Sequence, residues 1–217
     1  MYKKRLGGGK AVTRPRGARN RAYEEQRLAL AGRLRERLGN AQGAQPSLGE
    51  LAKAAGVSVA TLRHYFGDRD GIVSAVLALH AAQGAEHLEV LRRPSGDFAT
   101  SVRDAADYIT LGLAQPAVAE LHVLGLAEGL GHPRTGPAYL AEILEPVLQA
   151  VEERFQSHIA AGDMRPVDPR AAALSLVAPL LLARLHQGWL GGCSLRPLDT
   201  DPALAQHVEA FVRAYRG

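Results

Sequence analysis

The 217-residue chain is poor in the residues that mark disulfide-rich and membrane-spanning proteins. Its single cysteine, Cys193, excludes an internal disulfide framework. No apolar run reaches the roughly 18 residues of a membrane-spanning helix, because the most apolar stretch, 171–185, is shorter and contains Pro179 and Arg184. No secretory signal sequence is recognisable either. We therefore expect a soluble cytoplasmic protein with no membrane partner.

The sequence also lacks the common catalytic motifs. It has no Gly-x-Ser-x-Gly elbow, no phosphate-binding loop and no His-Glu-x-x-His pair. His80 and His87 are seven residues apart on one predicted helix face, but no third ligand follows at a suitable spacing, so no metal site is predicted. Cys193 is interpreted as a bystander thiol, with a redox sensor as the alternative. We predict no catalytic residues, no cofactor and no enzymatic activity.

Positive charge is concentrated at the N-terminus. The net charge is +4, yet residues 1–23 alone carry eight basic and no acidic residues, which leaves the remainder at −4. Glycines and Pro15 disfavour an independent fold there, so residues 1–20 are predicted to be a basic disordered arm. Such an arm can attach to DNA electrostatically, and a tail that only raises solubility is the alternative.

Residues 47–66 predict two short helices joined by a tight turn. Ser47 and Glu50 form the Ser-x-x-Glu pattern of a capping box, so a first helix starts at Leu48. Gly56 suits the turn because glycine adopts a positive φ most easily, and Ser58 is a second N-cap. An ordinary amphipathic helix pair is the alternative, but this combination of caps and turn is typical of a helix-turn-helix, whose second helix enters the major groove of DNA.

Residues 47–77 resemble the N-terminal region of the TetR family of bacterial transcriptional regulators. The resemblance is carried by Ser47, Leu51-Ala52, Ala55-Gly56-Val57-Ser58, Thr61-Leu62, His64-Tyr65-Phe66 and Arg69-Asp70. It implies base contacts by Thr61, Arg63 and His64 and phosphate contacts by Ser47, Tyr65 and Arg69. Arg63 stands where many members have Tyr, and Arg69 stands where many have Lys. For this reason the operator sequence of another family member is not assigned to this chain. The full set of predicted DNA-binding residues is Ser47, Ser58, Val59, Ala60, Thr61, Arg63, His64, Tyr65 and Arg69.

Almost all of the remaining sequence has apolar residues at a helical period, which predicts an all-α protein. We predict a helix-turn-helix domain over 21–67, preceded by a helix that Gly39 ends, and a helical effector-binding and dimerisation domain over 68–217. A loop is expected from Gly129 to Gly136, and Asp168-Pro169 and Asp201-Pro202 are expected to open the last two helices.

The resemblance implies a homodimer formed through the helices near 168–190 and 201–216, and the extensive apolar surface predicted for the first of them agrees. It also implies a pocket for an unknown small-molecule effector. Polar and aromatic side chains that could line this pocket are Tyr108, Gln115, Glu120, His122, His186 and Trp189.

The sequence thus predicts a DNA-binding transcriptional regulator, a repressor that a small molecule releases from a palindromic operator on double-stranded DNA. The alternative is a DNA-bound adaptor that a protein partner regulates. A closed, fully packed C-terminal core would favour the adaptor, and an enclosed cavity would favour the small molecule.

Overall fold

The computed structural model describes residues 16–39 and 45–217, with side chains from residue 21 onward. Within these ranges the chain is helical and contains no strand, which confirms the all-α prediction. A π-helical segment, Leu140–Leu144, joins the helix Thr135–Tyr139 to the helix Glu145–Ala161. The helices are α1 (Arg16–Gly39), α2 (Leu48–Ala55), α3 (Val59–Phe66), α4 (Arg69–Arg92), α5 (Phe98–Ala114), α6 (Pro116–Gly129), α7 (Thr135–Tyr139), α8 (Glu145–Ala161), α9 (Pro169–Gly188), α10 (Gly192–Leu195) and α11 (Thr200–Tyr215).

The predicted N-terminal arm falls mostly outside the described residues. Only its last five residues, 16–20, are described, and they form the start of α1 rather than a disordered segment. The described part of α1 runs to Gly39, the residue at which the sequence predicts its end. The first helix of the DNA-binding unit is therefore longer at its N-terminus than the sequence pattern indicated.

The caps of the two short helices form as predicted. The Ser47 backbone N–H donates to Glu50 Oε2 at 2.8 Å, and the Glu50 N–H donates to Ser47 Oγ at 3.3 Å. Gly56 has a φ of +67°, and the Ser58 side chain accepts from the Thr61 N–H at 3.0 Å. These local bonds fix where α2 ends and α3 begins.

Two hydrophobic cores share α4. The N-terminal core joins α1, α2 and α3 to the first half of α4, where Ile72 and Val76 are fully buried, and it also includes residues of α6 and α7. The C-terminal core joins α5, α8, α9 and α11 to the end of α4, where Leu91 is buried. The division between the cores therefore crosses α4 and does not coincide with the predicted domain boundary at 67/68.

A buried arginine holds the end of α4. Arg154 of α8 donates to the carbonyl oxygens of Leu91 at 2.6 Å and Val90 at 2.9 Å, and its Nη1 donates to Ser101 Oγ at 2.7 Å. Burial lowers the pKa of Arg154, and Asp104 opposes that shift. Because the last carbonyls of a helix carry partial negative charge, Arg154 compensates them while its own charge is hydrogen-bonded.

One local prediction for the C-terminal region was wrong. The sequence predicts a loop from Gly129 to Gly136, but the loop after α6 ends before Thr135 and Gly136 lies inside α7. The chain then stays helical through the π-helical segment into α8. The close approach of Gly129 and Gly136 explains this difference: an added Cβ on Gly129 would lie 3.0 Å from Gly136 Cα. In the sequence these glycines suggest a loop, but in the structure their lack of a side chain allows α6 and α7 to touch. The short helix α10 was not predicted.

Helix α9 is long and apolar enough to cross a membrane by length and composition, unlike the shorter run expected from the sequence. Among the described residues, α5 and α6 pass the same test only as a pair bent by 82°. One such helix is weak evidence for a membrane span, because the central helix of a soluble protein passes the same test.

Gly125 is predicted to be required for the packing of α6 on α7. An added Cβ would lie 2.1 Å from Tyr139 Cδ2, so Gly125→Ala should lower the free energy of unfolding by about 1–3 kcal/mol. Urea denaturation followed by circular dichroism measures this. Gly112→Ala is the matched control, because nothing lies within 4 Å of its added Cβ, and it should stabilise α5 by about 0.5–1 kcal/mol. Equal stability of the wild type and Gly125→Ala would contradict the packing argument.

Candidate DNA-binding surface and ligand cavity

Helix α3 presents a basic face to solvent. Ala60, Arg63 and His64 are exposed, whereas Leu62 and Phe66 on the opposite side are buried in the N-terminal core. The half-buried Thr61 has its hydroxyl 2.8 Å from Ser58 Oγ, so the cap and the predicted base-reading residue share a hydrogen bond. The structure thus brings the central predicted DNA-binding residues together on one open helix face.

Tyr23 of α1 braces the end of α3, a contact that the sequence analysis did not identify. Its ring stacks on Tyr65 with 4.8 Å between centroids, and its hydroxyl lies 3.3 Å from the carbonyl oxygen of His64. Tyr65 is half-buried by this stacking. The brace fixes the position of the last turn of α3, next to Arg63 and His64.

The predicted phosphate contact of Arg69 is not supported. Arg69 Nε lies 3.1 and 3.2 Å from the two carboxylate oxygens of Glu128, and its Nη1 donates to the carbonyl oxygen of Pro46. The Glu128 side chain is only 2% exposed. Arg69 therefore connects the start of α4 to α6 and to the segment before α2, because a buried carboxylate needs a charged partner.

A second set of charges lies beside this pair. Arg134 forms ion pairs with Asp68 and, at 3.1 Å, with Asp70. The hydrogen bond from Arg134 lowers the pKa of Asp68, and the Gly71 N–H lowers it further. The N-terminus of α4 is thus capped by Asp68 and linked to the segment just before α7.

A cavity of about 630 Å³ lies between the two cores. It is bounded by α1, α4, α5, α6, the π-helical segment, α8 and α9. Ile143 on its wall belongs to the N-terminal core, and Leu91 and Val177 belong to the C-terminal core. Its size and largely aliphatic wall are typical of small-molecule sites.

Three of the six predicted ligand-binding residues line this cavity: Tyr108, Gln115 and His122. Glu120 instead lines a smaller depression of about 250 Å³ beside Gly39. The prediction was wrong for His186 and Trp189, which are exposed near the C-terminal end of α9. The cavity-facing residues of α9 come earlier, at Val177 and Leu181, so His186 and Trp189 lie past the cavity wall.

Several cavity residues were missed as ligand-site candidates. His80 and His87 could have been identified, because their common helix face is visible in the sequence. Their rings belong to the cavity wall, and His87 Nδ1 lies 2.6 Å from Tyr108 Oη. Arg35 carries no comparable signal, since only the packing of α1 against α4 and α6 brings it to the cavity.

His122 is a neutral hydrogen-bonding group at neutral pH. Burial, and secondarily the charge of His80, lowers the pKa of His122 to about 4. Its Nδ1 lies 2.8 Å from the hydroxyl of Tyr139, whose pKa burial raises to about 12. A protonated tyrosine hydroxyl can donate to Nδ1 or accept from it, so the His122–Tyr139 bond is compatible with either neutral tautomer. In the tautomer that accepts from Tyr139, His122 offers a donor, Nε2–H, on the ring edge away from Tyr139.

Two family profiles match the sequence. The profile described as bacterial regulatory proteins, tetR family, matches residues 37–76, and the profile described as AefR-like transcriptional repressor, C-terminal domain, matches residues 102–217. The second match covers more than half of the chain. No curated protein sequence matches significantly.

Solved structures of regulators have the same fold. A TetR-family regulator from Mesorhizobium loti is 21% identical, with a TM-score of 0.64 over 94% of this chain and 100% of that chain. The flavonoid-responsive regulator FrrA is 21% identical, with a TM-score of 0.64 over 88% and 98% of the two chains. A regulator from Saccharomonospora viridis in complex with choline is 15% identical, with a TM-score of 0.64 over 89% and 99%. At these identities the likeness shows the fold alone.

The Arg69–Glu128 pair predicts a large stability effect. Arg69→Met would leave the Glu128 carboxylate buried without its partner and should lower the free energy of unfolding by about 3–5 kcal/mol. Arg63→Met is the control, because Arg63 is exposed on α3, and it should change stability by less than about 0.5 kcal/mol. Urea denaturation of both variants measures the difference. Similar stabilities would show that the pair does not hold α4 to α6.

The lowered pKa of His122 predicts loss of stability in acid. The unfolded chain binds a proton near pH 6.5 and the folded chain near pH 4, so stability should fall as the pH decreases through this window. The loss should reach about 3 kcal/mol relative to His122→Gln, which cannot titrate but retains an acceptor for Tyr139. Denaturation of both proteins at pH 7, 5.5 and 4.5 gives the two slopes. Parallel slopes would contradict a neutral buried His122.

Proposed function

Because the chain belongs to the TetR family of bacterial transcriptional regulators, we propose that it is a homodimeric repressor that a small molecule releases from a palindromic operator. The carrying observation is that α1 contributes to both sites. Its Tyr23 braces the DNA-reading helix, and its Arg35 lies on the wall of the cavity. A molecule in the cavity can therefore act on the helix that positions α3.

The proposed DNA contacts follow from the exposed face of α3. Arg63 and His64 have hydrogen-bonding groups that suit base edges, and Thr61 can assist from the first turn. Ser58, Val59 and Ala60 are proposed to lie close to the groove floor, and Ser47 and Tyr65 close to phosphates. The basic arm, 1–20, is proposed to add electrostatic attachment.

The proposed dimer forms through α9 and α11. Only 28% of the most apolar stretch of α9 is buried within one chain, although the helix is apolar enough to pass for a membrane span. Leu174 and Leu182, two turns apart on α9, are 52% and 62% exposed. A second copy would cover this apolar surface, and a two-fold dimer would present two α3 helices to a palindromic site.

The proposed induction step depends on the position of the cavity between the two cores. A ligand there can favour one arrangement of the DNA-binding unit relative to the C-terminal core. A ligand with about 100-fold preference for the non-binding arrangement shifts the equilibrium by about 2.7 kcal/mol. Two structural neighbours, the flavonoid-responsive regulator FrrA and the regulator in complex with choline, support a small-molecule effector. The cavity favours this effector over the protein-partner alternative.

We propose a cytoplasmic location, where such a regulator meets DNA.

Arg63 provides the test of this function. Selection of duplexes from a random pool at fixed salt should yield a palindrome, and Arg63→Gln should bind it about tenfold or more weakly. Arg93→Gln is the matched control, because Arg93 is 80% exposed and lies at the opposite end of α4 from α3. Fluorescence anisotropy measures all three affinities. Recovery of no preferred duplex, or equal losses in the two variants, would contradict the proposal.

A further inference from the structure

The polar groups of the cavity gather where α1, α4 and α6 meet. Arg35 donates from Nη1 to Gln83 Oε1 at 3.4 Å, and His80 lies one turn before Gln83 on α4. His122 faces this group from α6, close enough that the charge of His80 affects its pKa. We call these four residues, Arg35, His80, Gln83 and His122, the head site. Each offers hydrogen-bond donors to a ligand, so the head site suits a group that accepts several hydrogen bonds.

The cavity wall beyond the head site is aliphatic. It leads toward the C-terminal core, and apart from histidines the one aromatic ring on the described wall is that of Tyr108. A ligand body here gains mainly from burial of apolar area rather than from ring stacking. The aliphatic wall residues include Leu88, Leu91, Ile109, Leu113, Val177 and Leu181.

The charges that line the cavity distinguish an acid from an amine. Among the residues that the structure describes, Arg35 is the cationic group on the wall, and Glu142, on the π-helical segment next to Ile143, is the acidic one. The other titratable groups on this described wall are three histidines and Tyr108. An anion at the head site pairs with Arg35, and protonation of His80 can add a second positive charge beside it. A cation there would be repelled by Arg35.

We propose that the cavity binds an aliphatic carboxylate, with its carboxylate at the head site and its chain along the aliphatic wall. This proposal rests on the proposed function and names the ligand class of the same cavity. The carboxylate would accept from Arg35, from Gln83 and from Nε2 of His122 in the neutral tautomer that carries its proton there. Because Arg35 belongs to α1, the ligand head would contact the DNA-binding unit directly.

Proton uptake is a further consequence. Burial lowers the pKa of His80, and the charges of Arg35 and His87 lower it further. A bound carboxylate beside His80 raises that pKa again, so binding takes up a proton. Affinity for the carboxylate should therefore increase between pH 8 and pH 6, with no such trend for an uncharged alcohol of the same chain length.

The test compares decanoate, decanol and decylamine by isothermal titration calorimetry on the full chain. Decanoate should bind about tenfold or more tightly than decanol, and decylamine most weakly. Arg35→Gln should reduce decanoate affinity about tenfold and leave decanol affinity within about twofold, which also shows that the variant is folded. Arg93→Gln should behave as the wild type, and His80→Asn should remove the pH dependence of decanoate binding.

Equal or tighter binding of decanol or decylamine would overturn the carboxylate assignment, as would equal effects of Arg35→Gln and Arg93→Gln. Anisotropy of the selected duplex, measured with each ligand, separates the two proposals. Release of DNA by a compound other than a carboxylate would support the regulatory function and overturn the ligand class. Selective binding of decanoate without release would support the ligand class and contradict induction.

Discussion

Helix α4 is the constraint on which the rest of the structure depends. Its first half is buried with the DNA-binding helices, and its last turn is held in the C-terminal core by Arg154. A rigid helix of 24 residues that belongs to both cores cannot move at one end without a response at the other. The cavity lies beside this helix, and residues from several turns of α4 line its wall.

Buried charges fix how the helices pack within each core. Arg69 and Glu128 join α4 to α6, and Arg154 joins α8 to the end of α4. Removing charges from water is costly, so such groups persist only where their partners have good geometry. Their value here lies in specificity: each guanidinium satisfies several acceptors on different elements, and an alternative packing would leave these groups unsatisfied. Close glycine contacts between α6 and α7 add a steric constraint of the same kind.

Helices α1 and α6 connect the cavity to α3, because each has residues both at the cavity and at the DNA-binding unit. Tyr23 and Arg35 lie on α1, three turns apart, with one at α3 and the other at the cavity. His122 lines the cavity, and Glu128, on the same helix, binds Arg69 at the start of α4. A change in the cavity thus has two short physical connections to the DNA-reading surface, through α1 and through α6.

The amino-acid sequence by itself determined the helix-turn-helix, its caps and the exposed face of α3, because Ser47, Gly56 and Ser58 act on backbone groups only a few residues away. It also indicated most helices, since the apolar period is a local property. Only the tertiary structure decided the role of Arg69, the positions of His186 and Trp189, and the presence of Arg35 at the cavity. These depend on which helices pack together: Arg69 meets Glu128 across 59 positions of sequence, and no local pattern encodes a pairing between residues so far apart.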